Sequence, residues 1–491
     1  RDLAVGSHIS VERAWDITRG SRSVVVAVTD DAFDLNHPDF QGKGKIVAPR
    51  DLSDRDLIPL PGNSRENHGT AVAGVAIAEE TGTGVVGVAP GCALMPIRTT
   101  GFLDDESVEQ IFDWAAQQGA AVISCSWGAS AVRFPLSFRQ SAAISRAATQ
   151  GRNQKGCVIV FAAGNANRPV NGTINERGWP RNALSGRQNW LAGFAVHPDV
   201  ITVSACTSLN KKAAYSNWGS SISVSGPSNN THPSMGLEGF GHISTGPQIR
   251  TSFPGQAVFT TDRLGAGGYD NSDFAAGFGG TSSACPVVAG VAALVLSANP
   301  DLTAQEVKQI LQLTADKIVD PEVDPQLGLR GGTYDANGHS QWFGYGKVNA
   351  FRAVQEAQRR LKRPTQVTQR IQGQNNTPVD IPDYNLRGAT SRIRITESGL
   401  IKDIQVRVDL EHTFMGDLAI SLIAPRGQVV LLQGRTLGRT TRLQKTYSLP
   451  TTPNLRPLIN QSIGGRWQLR AVDHAQTNTG RINSWQLTLG I

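Results

Sequence analysis

The sequence predicts an α/β domain whose parallel sheet is flanked by helices, followed by an all-β sandwich or jelly-roll domain. Two observations predict this. Through residues 1–363, short continuous apolar runs alternate with stretches of helical spacing. That is the pattern of strands buried on both faces with helices between them. From residue 364 onward, short runs of alternating polar and apolar residues are separated by turns such as Pro425-Arg-Gly427. That alternation marks antiparallel sheet with one wet face. The expected domains are therefore 1–363 and 364–491, a division in keeping with a chain of 491 residues that is too long for one core.

In order along the first domain, residues 24–28 read as a strand and the small apolar residues of 68–78 as a buried helix. A helix over 106–118 precedes a strand over 121–126, and a helix over 136–150 precedes a strand over 157–162. Another strand follows at 200–205. Residues 226–255 are rich in Gly, Pro, Ser and Thr and read as a long surface loop. Residues 282–298 form a long apolar helix, and Thr303-Ala-Gln-Glu306 is a capping box that opens another. Helical spacing resumes over 348–361. In the second domain, 364–390 read as a linker or a loose first strand. Strands are expected over 404–410, 417–423, 428–432, 467–472 and 484–489.

Composition narrows the class. Hydrophobic residues make up 39% of the chain and charged residues 18%, which excludes a disordered chain. Apolar runs fall short of the roughly 18 residues a membrane span needs, so no membrane span is expected. The opening residues carry no signal-type segment, as in a protein made without one or already processed. The net charge of +7 lies in the C-terminal part: from Pro364 onward there are 15 Lys and Arg against 8 Asp and Glu. The arginines are scattered rather than striped with aromatics, which points to a solvated basic face and away from nucleic acid. Five cysteines without a CxxC pair exclude the usual zinc patterns and leave at least one thiol free. Their pattern fits a periplasmic, secreted or cytoplasmic bacterial protein alike.

Three segments carry chemistry. Asp30 ends the strand-like run Val26-Ala-Val-Thr-Asp30, at the edge where α/β sheets place their sites. His68 opens a helix in Asn67-His68-Gly-Thr-Ala-Val-Ala-Gly74. Ser282 stands at a helix start, behind glycines, in Gly279-Gly-Thr-Ser282-Ser-Ala-Cys-Pro286. A serine hydroxyl needs a base, and a histidine held by a carboxylate supplies one. Asn165, in Ala162-Ala-Gly-Asn165, offers an amide suited to stabilising an oxyanion. Cys285, three residues past Ser282, is expected to pack inward on the next helical turn.

With these motifs in the order Asp, His, Asn, Ser, and with Gly344-Tyr-Gly-Lys-Val-Asn-Ala350 beyond them, the chain resembles the subtilase family. Asp30-Asp31, Ser124-Cys-Ser-Trp127-Gly128 and Phe259-Thr-Thr-Asp262 are similar to the kexin and furin group. Glu411-His-Thr-Phe-Met-Gly-Asp-Leu418, Ser421-Leu-Ile-Ala-Pro425 and Gly480-Arg-Ile-Asn-Ser-Trp485-Gln-Leu487 resemble its P domain. Over nearly its whole length the chain looks like bacterial calcium-dependent proteases of the cyanobacterial type.

The resemblance implies a subtilisin-like fold and a serine endopeptidase. Ser282 would be the nucleophile, His68 the base, Asp30 its orienting carboxylate, and Asn165 with the Ser282 N–H the oxyanion site. Ser126, Trp127 and Gly128 would form the edge strand that pairs with substrate and walls the S1 pocket. Asp31 would favour a basic residue before P1, the residue preceding the cleaved bond, and Glu176 would be the S1 acid, so cleavage after Arg or Lys is expected. Two acids of the kexin pattern are replaced by Ala131 and Asn217, and the calcium they help hold near S1 is expected to be missing. Glu66 and Asp104 to Glu106 read either as subsite charges or, for the latter, as a helix N-terminal cluster. Calcium is implied as a cofactor at Asp39 with the loop residues Glu79, Thr81, Thr83 and Val85, although Thr81 stands where an asparagine is usual. Asp417 and Asp473 are candidate ligands in the P domain, or turn caps. Peptide or protein substrates, an N-terminal propeptide during maturation and a monomeric enzyme are also implied. The alternative is a broad-specificity protease whose basic P domain docks an acidic partner.

Overall fold

The structure is a computed structural model that describes residues 2–361 and 367–491. The chain divides into two compact units, Arg1–Arg360 and Leu361–Ile491. The boundary expected between residues 363 and 364 lies outside the described residues.

The first unit is built on a seven-stranded sheet in which every pairing is parallel. Its order is Val224–Pro227, Val200–Cys206, Val158–Ala162, Val122–Cys125, Val25–Asp30, Ala93–Arg98 and Arg50–Asp51. The central strands are continuously apolar because helices cover both faces. On one face, Val26, Val28 and Val160 pack with the helices His68–Ile77 and Thr281–Ala298. On the other, Ala27, Ile97 and Ile123 pack with Asp105–Gln117 and Phe138–Gln154. From Val25–Asp30 the chain crosses to Arg50–Asp51 and Ala93–Arg98 on one side and then to Val122–Cys125 on the other. The order therefore reverses at the end of Val25–Asp30, and such a reversal opens a crevice beyond the strand ends.

The helices start where their caps predict. Thr303 and Glu306 make both bonds of the capping box, and Asp104 accepts from Ser107 N at 3.0 Å to cap Asp105–Gln117. The cluster Asp104 to Glu106 is thus a helix start. The helix Thr281–Ala298 corrects one expectation, because it is long and apolar enough to cross a membrane by length and composition. Its faces are instead almost wholly buried against the sheet and the His68–Ile77 helix, as a central core helix requires. The Gly-rich stretch 226–255 also differs from a plain loop: Ser234–Leu237 and Gly241–Ser244 pair as an antiparallel hairpin.

The second unit is a sandwich of two antiparallel sheets. One runs Arg370–Asn375, Gly480–Gly490, Asp403–His412 and Arg442–Ser448, with Val379–Ile381 also on Gly480–Gly490. The other runs Ala389–Ile395, Gly465–Asp473, Leu418–Ile423 and Val429–Gln433. Inward residues alternate along each strand and meet around Trp467 and Trp485. Within 364–390 the loose-strand reading holds over the linker: Arg370–Asn375 and Val379–Ile381 are strands, each burying only one side chain.

Gly74 marks a tight contact under the crevice. A Cβ there would lie 2.1 Å from Thr261 Oγ1 and 2.9 Å from Thr261 N. Thr260 and Thr261 already donate their hydroxyls to the carbonyls of Ala71 and Thr70 at 2.8 and 2.7 Å. Gly74→Val is expected to cost about 1–3 kcal/mol, read from denaturant midpoints, and to displace the helix that carries His68.

Candidate active site

Asp30 stands at the crevice end of its strand, and His68 opens the helix beside it. His68 Nδ1 lies 2.7 Å from Asp30 Oδ1. Asp30 Oδ1 also accepts from Asp31 N at 2.8 Å, while Oδ2 is buried with no hydrogen-bond partner among the described residues. Burial pulls the imidazolium down, but the Asp30 carboxylate outweighs it and holds His68 above its ordinary pKa. The histidine is therefore a base with one nitrogen anchored and the other free for proton transfer.

Asp31 fixes where that helix begins. Asn67, at the N-cap position, makes no side-chain cap. Asp31, directly past the end of the Val25–Asp30 strand, replaces it, accepting from His68 N at 3.1 Å and Gly69 N at 2.7 Å. Its carboxyl is pushed up to about 6, first by desolvation and then by Asp30. Asp31 also lines a cleft of about 320 Å³ with Ser53, Glu66, Thr100 and Trp127. Glu66 contributes less charge there, because Oε1 accepts from Arg98 Nη2 at 2.9 Å.

Ser282 lies in the first turn of Thr281–Ala298, after Gly280 at φ 74°, a conformation that suits glycine. Pro286 sits inside this helix and has no N–H to give to the carbonyl four residues back, that of Ser282. The freed carbonyl accepts instead from Ser126 Oγ at 3.0 Å. Ser282 Oγ in turn donates to Ser126 O at 3.3 Å. Among the described residues the Ser282 hydroxyl has no hydrogen bond to His68, so it must turn from Ser126 to engage a base. Asn165 Oδ1 accepts from both Thr281 N and Thr281 Oγ1 at 2.8 Å. That leaves the Asn165 amide nitrogen on the Gly280 side of the serine, as a donor. Cys285 is fully buried under the carbonyls of Cys125 and Val160, and burial pushes its thiol up to about 11. It is inert beside the half-buried Ser282 hydroxyl.

Trp127 and Gly128 line a second cleft, of about 230 Å³, that reaches from Ser282 and Asn165 to Trp190 and Met235. Trp127 is fixed by its indole N–H on Thr29 Oγ1 at 2.9 Å. Ser126 to Gly128 continues past the end of the Val122–Cys125 strand and pairs with no strand among the described residues. Glu176 corrects the expectation that it faces this cleft. It is buried behind the wall, where Arg168 Nε and Nη2 donate to its two oxygens at 2.6 and 2.7 Å. The indoles of Trp190 and Trp179 donate to the same oxygens at 2.8 and 2.7 Å. Sequence reasoning passed over Arg168, Trp190 and Met235. The one available signal was the basic residue eight positions before Glu176.

Away from the crevice, Asp39 and the loop from Glu79 to Val85 come together. Thr81 Oγ1 donates to Asp39 Oδ1 at 2.8 Å, and Glu79 N donates to Asp39 O at 3.0 Å. Asp39 Oδ2 is buried with no hydrogen-bond partner among the described residues, and burial raises the Asp39 carboxyl. An orphaned carboxylate oxygen is a ligand type that a hard cation takes, and Asp39 stands outside any cluster of three or more His, Cys, Asp or Glu among the described residues. The Glu79 side chain turns away, to Gly42 N and Arg22. In the second unit, Asp473 pairs with His412 at 3.3 Å, both wholly buried, and Asp417 accepts from Asn478 Nδ2 at 3.1 Å. Neither belongs to a cluster of three or more His, Cys, Asp or Glu ligands among the described residues.

Residues 21–346 match the Subtilase family, and residues 401–489 match the Proprotein convertase P-domain. The chain is 38% identical, over 99% of its length, to a calcium-dependent protease of Trichormus variabilis, of which it covers 68%. It is 24% identical to Protease KEX1 of Kluyveromyces lactis, over 99% of this chain and 58% of that one. The solved serine protease of Aeromonas sobria, in complex with its chaperone, superposes with a TM-score of 0.52 at 21% identity. That match covers 96% of this chain and 88% of that one.

The raised Asp31 carboxyl has a signed consequence. The folded state holds this proton up to about pH 6, whereas the unfolded chain releases it near 4. Its stabilising contribution is present in acid and is lost as pH rises through about 6. Asp31→Asn is expected to remove that fall from a pH series of denaturant midpoints, while the rest of the profile stays.

Proposed function

The chain belongs to the subtilase family of serine endopeptidases, and on that premise we propose that Ser282, His68 and Asp30 are its catalytic triad. The observation that carries the assignment is the 2.7 Å bond between His68 and Asp30 at the mouth of the crevice that holds Ser282. In this reading the Ser282 hydroxyl turns from the Ser126 carbonyl to His68 and attacks the scissile carbonyl. His68 takes the proton, and Asp30 holds its tautomer and faces the imidazolium that forms. The Asn165 amide and the Ser282 N–H, at the start of an 18-residue helix, receive the oxyanion. His68 then gives its proton to the leaving amine, and water releases the acyl-enzyme by the same path in reverse.

Substrate runs along Ser126 to Gly128 as an added strand. Asp31, beside His68 and facing the larger cleft, supports a basic residue at P2. Such a preference accords with the name of the Schizosaccharomyces pombe relative, a dibasic-processing endoprotease. The preference for Arg or Lys at P1 rested on Glu176, whose charge Arg168 neutralises, so the geometry does not support that half. The enzyme is made with an N-terminal propeptide in this reading.

Calcium enters on the name of the calcium-dependent relative and the orphaned Asp39 oxygen. Asp39, with carbonyls of the loop from Glu79 to Val85, would hold it, and the bound ion would stiffen the loop that follows the His68–Ile77 helix.

Two measurements test these assignments. Ser282→Ala is expected to lower kcat by about 10⁶-fold, while Cys285→Ser keeps activity. Because Asp30 raises His68, the acid limb of kcat/KM is expected above the ordinary imidazole value. In Asp30→Asn it should move down and kcat should fall about 10⁴-fold. For calcium, exhaustive chelation is expected to lower Tm in the inactive Ser282→Ala variant, and Asp39→Asn to abolish that shift. An unchanged Tm would remove the calcium assignment.

A further inference from the structure

Four arginines of the second unit, scattered along the chain, are gathered by the fold. In the sheet Ala389–Ile395, Gly465–Asp473, Leu418–Ile423 and Val429–Gln433, residues alternate between the sandwich core and the outer face. Arg392, Arg394, Arg466 and Arg470 all stand on the outer face. Arg394 is directly opposite Arg466, and Arg470 lies between Thr390 and Ser421. No Asp or Glu of these strands points outward; Asp473, at a strand end, is buried against His412. Glu397, just past Ile395, turns its carboxylate to Thr396 N at 3.0 Å.

Among the described residues none of these four arginines has an ion pair, and Arg470 Nε is buried with no hydrogen-bond partner. The other sheet differs: its Arg370, Arg442 and Arg481 are paired with Asp403, Asp409 and Asp380. Like charges directly opposite weaken a sheet, so Arg394 and Arg466 cost this one stability and gain nothing within it. All four cations are arginine, whose planar fork meets a carboxylate through two hydrogen bonds. Arg392 and Arg394 are alternate residues of one strand, about 7 Å apart, which is also the spacing of acids at alternate positions of an extended chain. The neighbouring strands continue the face with Ile423 and the exposed Val429 and Leu431. The outward residues include no Phe, Tyr or Trp, the side chains by which a membrane surface or single-stranded nucleic acid is usually held.

We propose that the outer face of this sheet docks an acidic segment of a partner protein, with carboxylates on Arg392, Arg394, Arg466 and Arg470 and apolar side chains on Val429 and Leu431. The bound carboxylates relieve the repulsion between Arg394 and Arg466, so complementarity of charge supplies what the isolated sheet lacks. Arginines fixed on strands lose little freedom when they bind, and arginine is enriched in protein interfaces where lysine is depleted. Docking at this face is independent of which residues form the triad.

The probe is a fluorescein-labelled peptide with Glu at alternate positions and Leu at one end. Its anisotropy is followed on the full chain carrying Ser282→Ala, with the peptide checked intact by mass spectrometry. Binding is expected at low ionic strength and is expected to weaken as salt rises. Arg394→Gln combined with Arg466→Gln is expected to weaken it about tenfold, the scale of two exposed ion pairs. Arg442→Gln combined with Arg481→Gln removes the same charge from the other sheet and is expected to leave binding unchanged. The first double variant is also expected to raise Tm, because its opposed pair is gone. Should it fail to fold, Thr390→Glu sets an acid beside Arg470 and is expected to weaken binding instead. An equal loss in both double variants, or no binding at all, leaves only a solvated basic face and overturns the proposal. A fall in Tm in the first double variant ties the arginines to the sheet itself and overturns it too. Vesicles of phosphatidylserine and phosphatidylcholine that bind more tightly than the peptide overturn the protein partner in favour of a lipid surface.

Discussion

The bond between His68 Nδ1 and Asp30 Oδ1 joins two parts of the molecule that the fold had to bring together. One end is the last residue of an interior strand, whose position is set by parallel neighbours on both sides. The other is the first residue of a helix whose other nine residues are all buried. Neither end is free to drift. Asp31 tightens the arrangement by accepting from His68 N and Gly69 N, so two adjacent carboxylates hold the histidine by its ring and by its backbone. Burial strips the Asp31 carboxylate of water, and the neighbouring Asp30 repels it, which is why the Asp31 carboxyl is raised to about 6. The strand end tolerates this because helix N-termini favour negative charge.

The helix that carries Ser282 shows a similar coupling of packing to chemistry. It is almost wholly buried, and its core packing fixes its start against the sheet. Pro286 frees the Ser282 carbonyl, and Ser126 takes it up, so Ser126 and Ser282 are hydrogen-bonded to each other in both directions. Asn165 is locked onto Thr281 from the next strand. The serine hydroxyl is the one member not yet in place, and a turn of that side chain completes the set.

The fold class was legible because buried parallel strands and their covering helices leave long apolar runs, and because the alternation changes after residue 363. The triad motifs were legible because each sits at a strand end or helix start that local sequence specifies. What could not be read depended on where side chains go. Glu176 has the spacing of a pocket acid, yet Arg168, which follows Asn165 by three residues, turns inward to meet it, and only the packing of Trp179 and Trp190 decides that. Asp104 to Glu106 could not be divided between cap and subsite without knowing that Ser107 is its partner. Strands Arg370–Asn375 and Val379–Ile381 were legible only as a loose stretch because a long antiparallel neighbour, not their own apolar residues, holds them in the sheet.

The most direct test of the triad is to locate the activated nucleophile by mass spectrometry after labelling with a serine-reactive phosphonate near neutral pH. The account predicts a single adduct on Ser282, lost in His68→Ala although Ser282 is still present. An adduct on Cys285, or labelling of Ser282 that persists without His68, would contradict it.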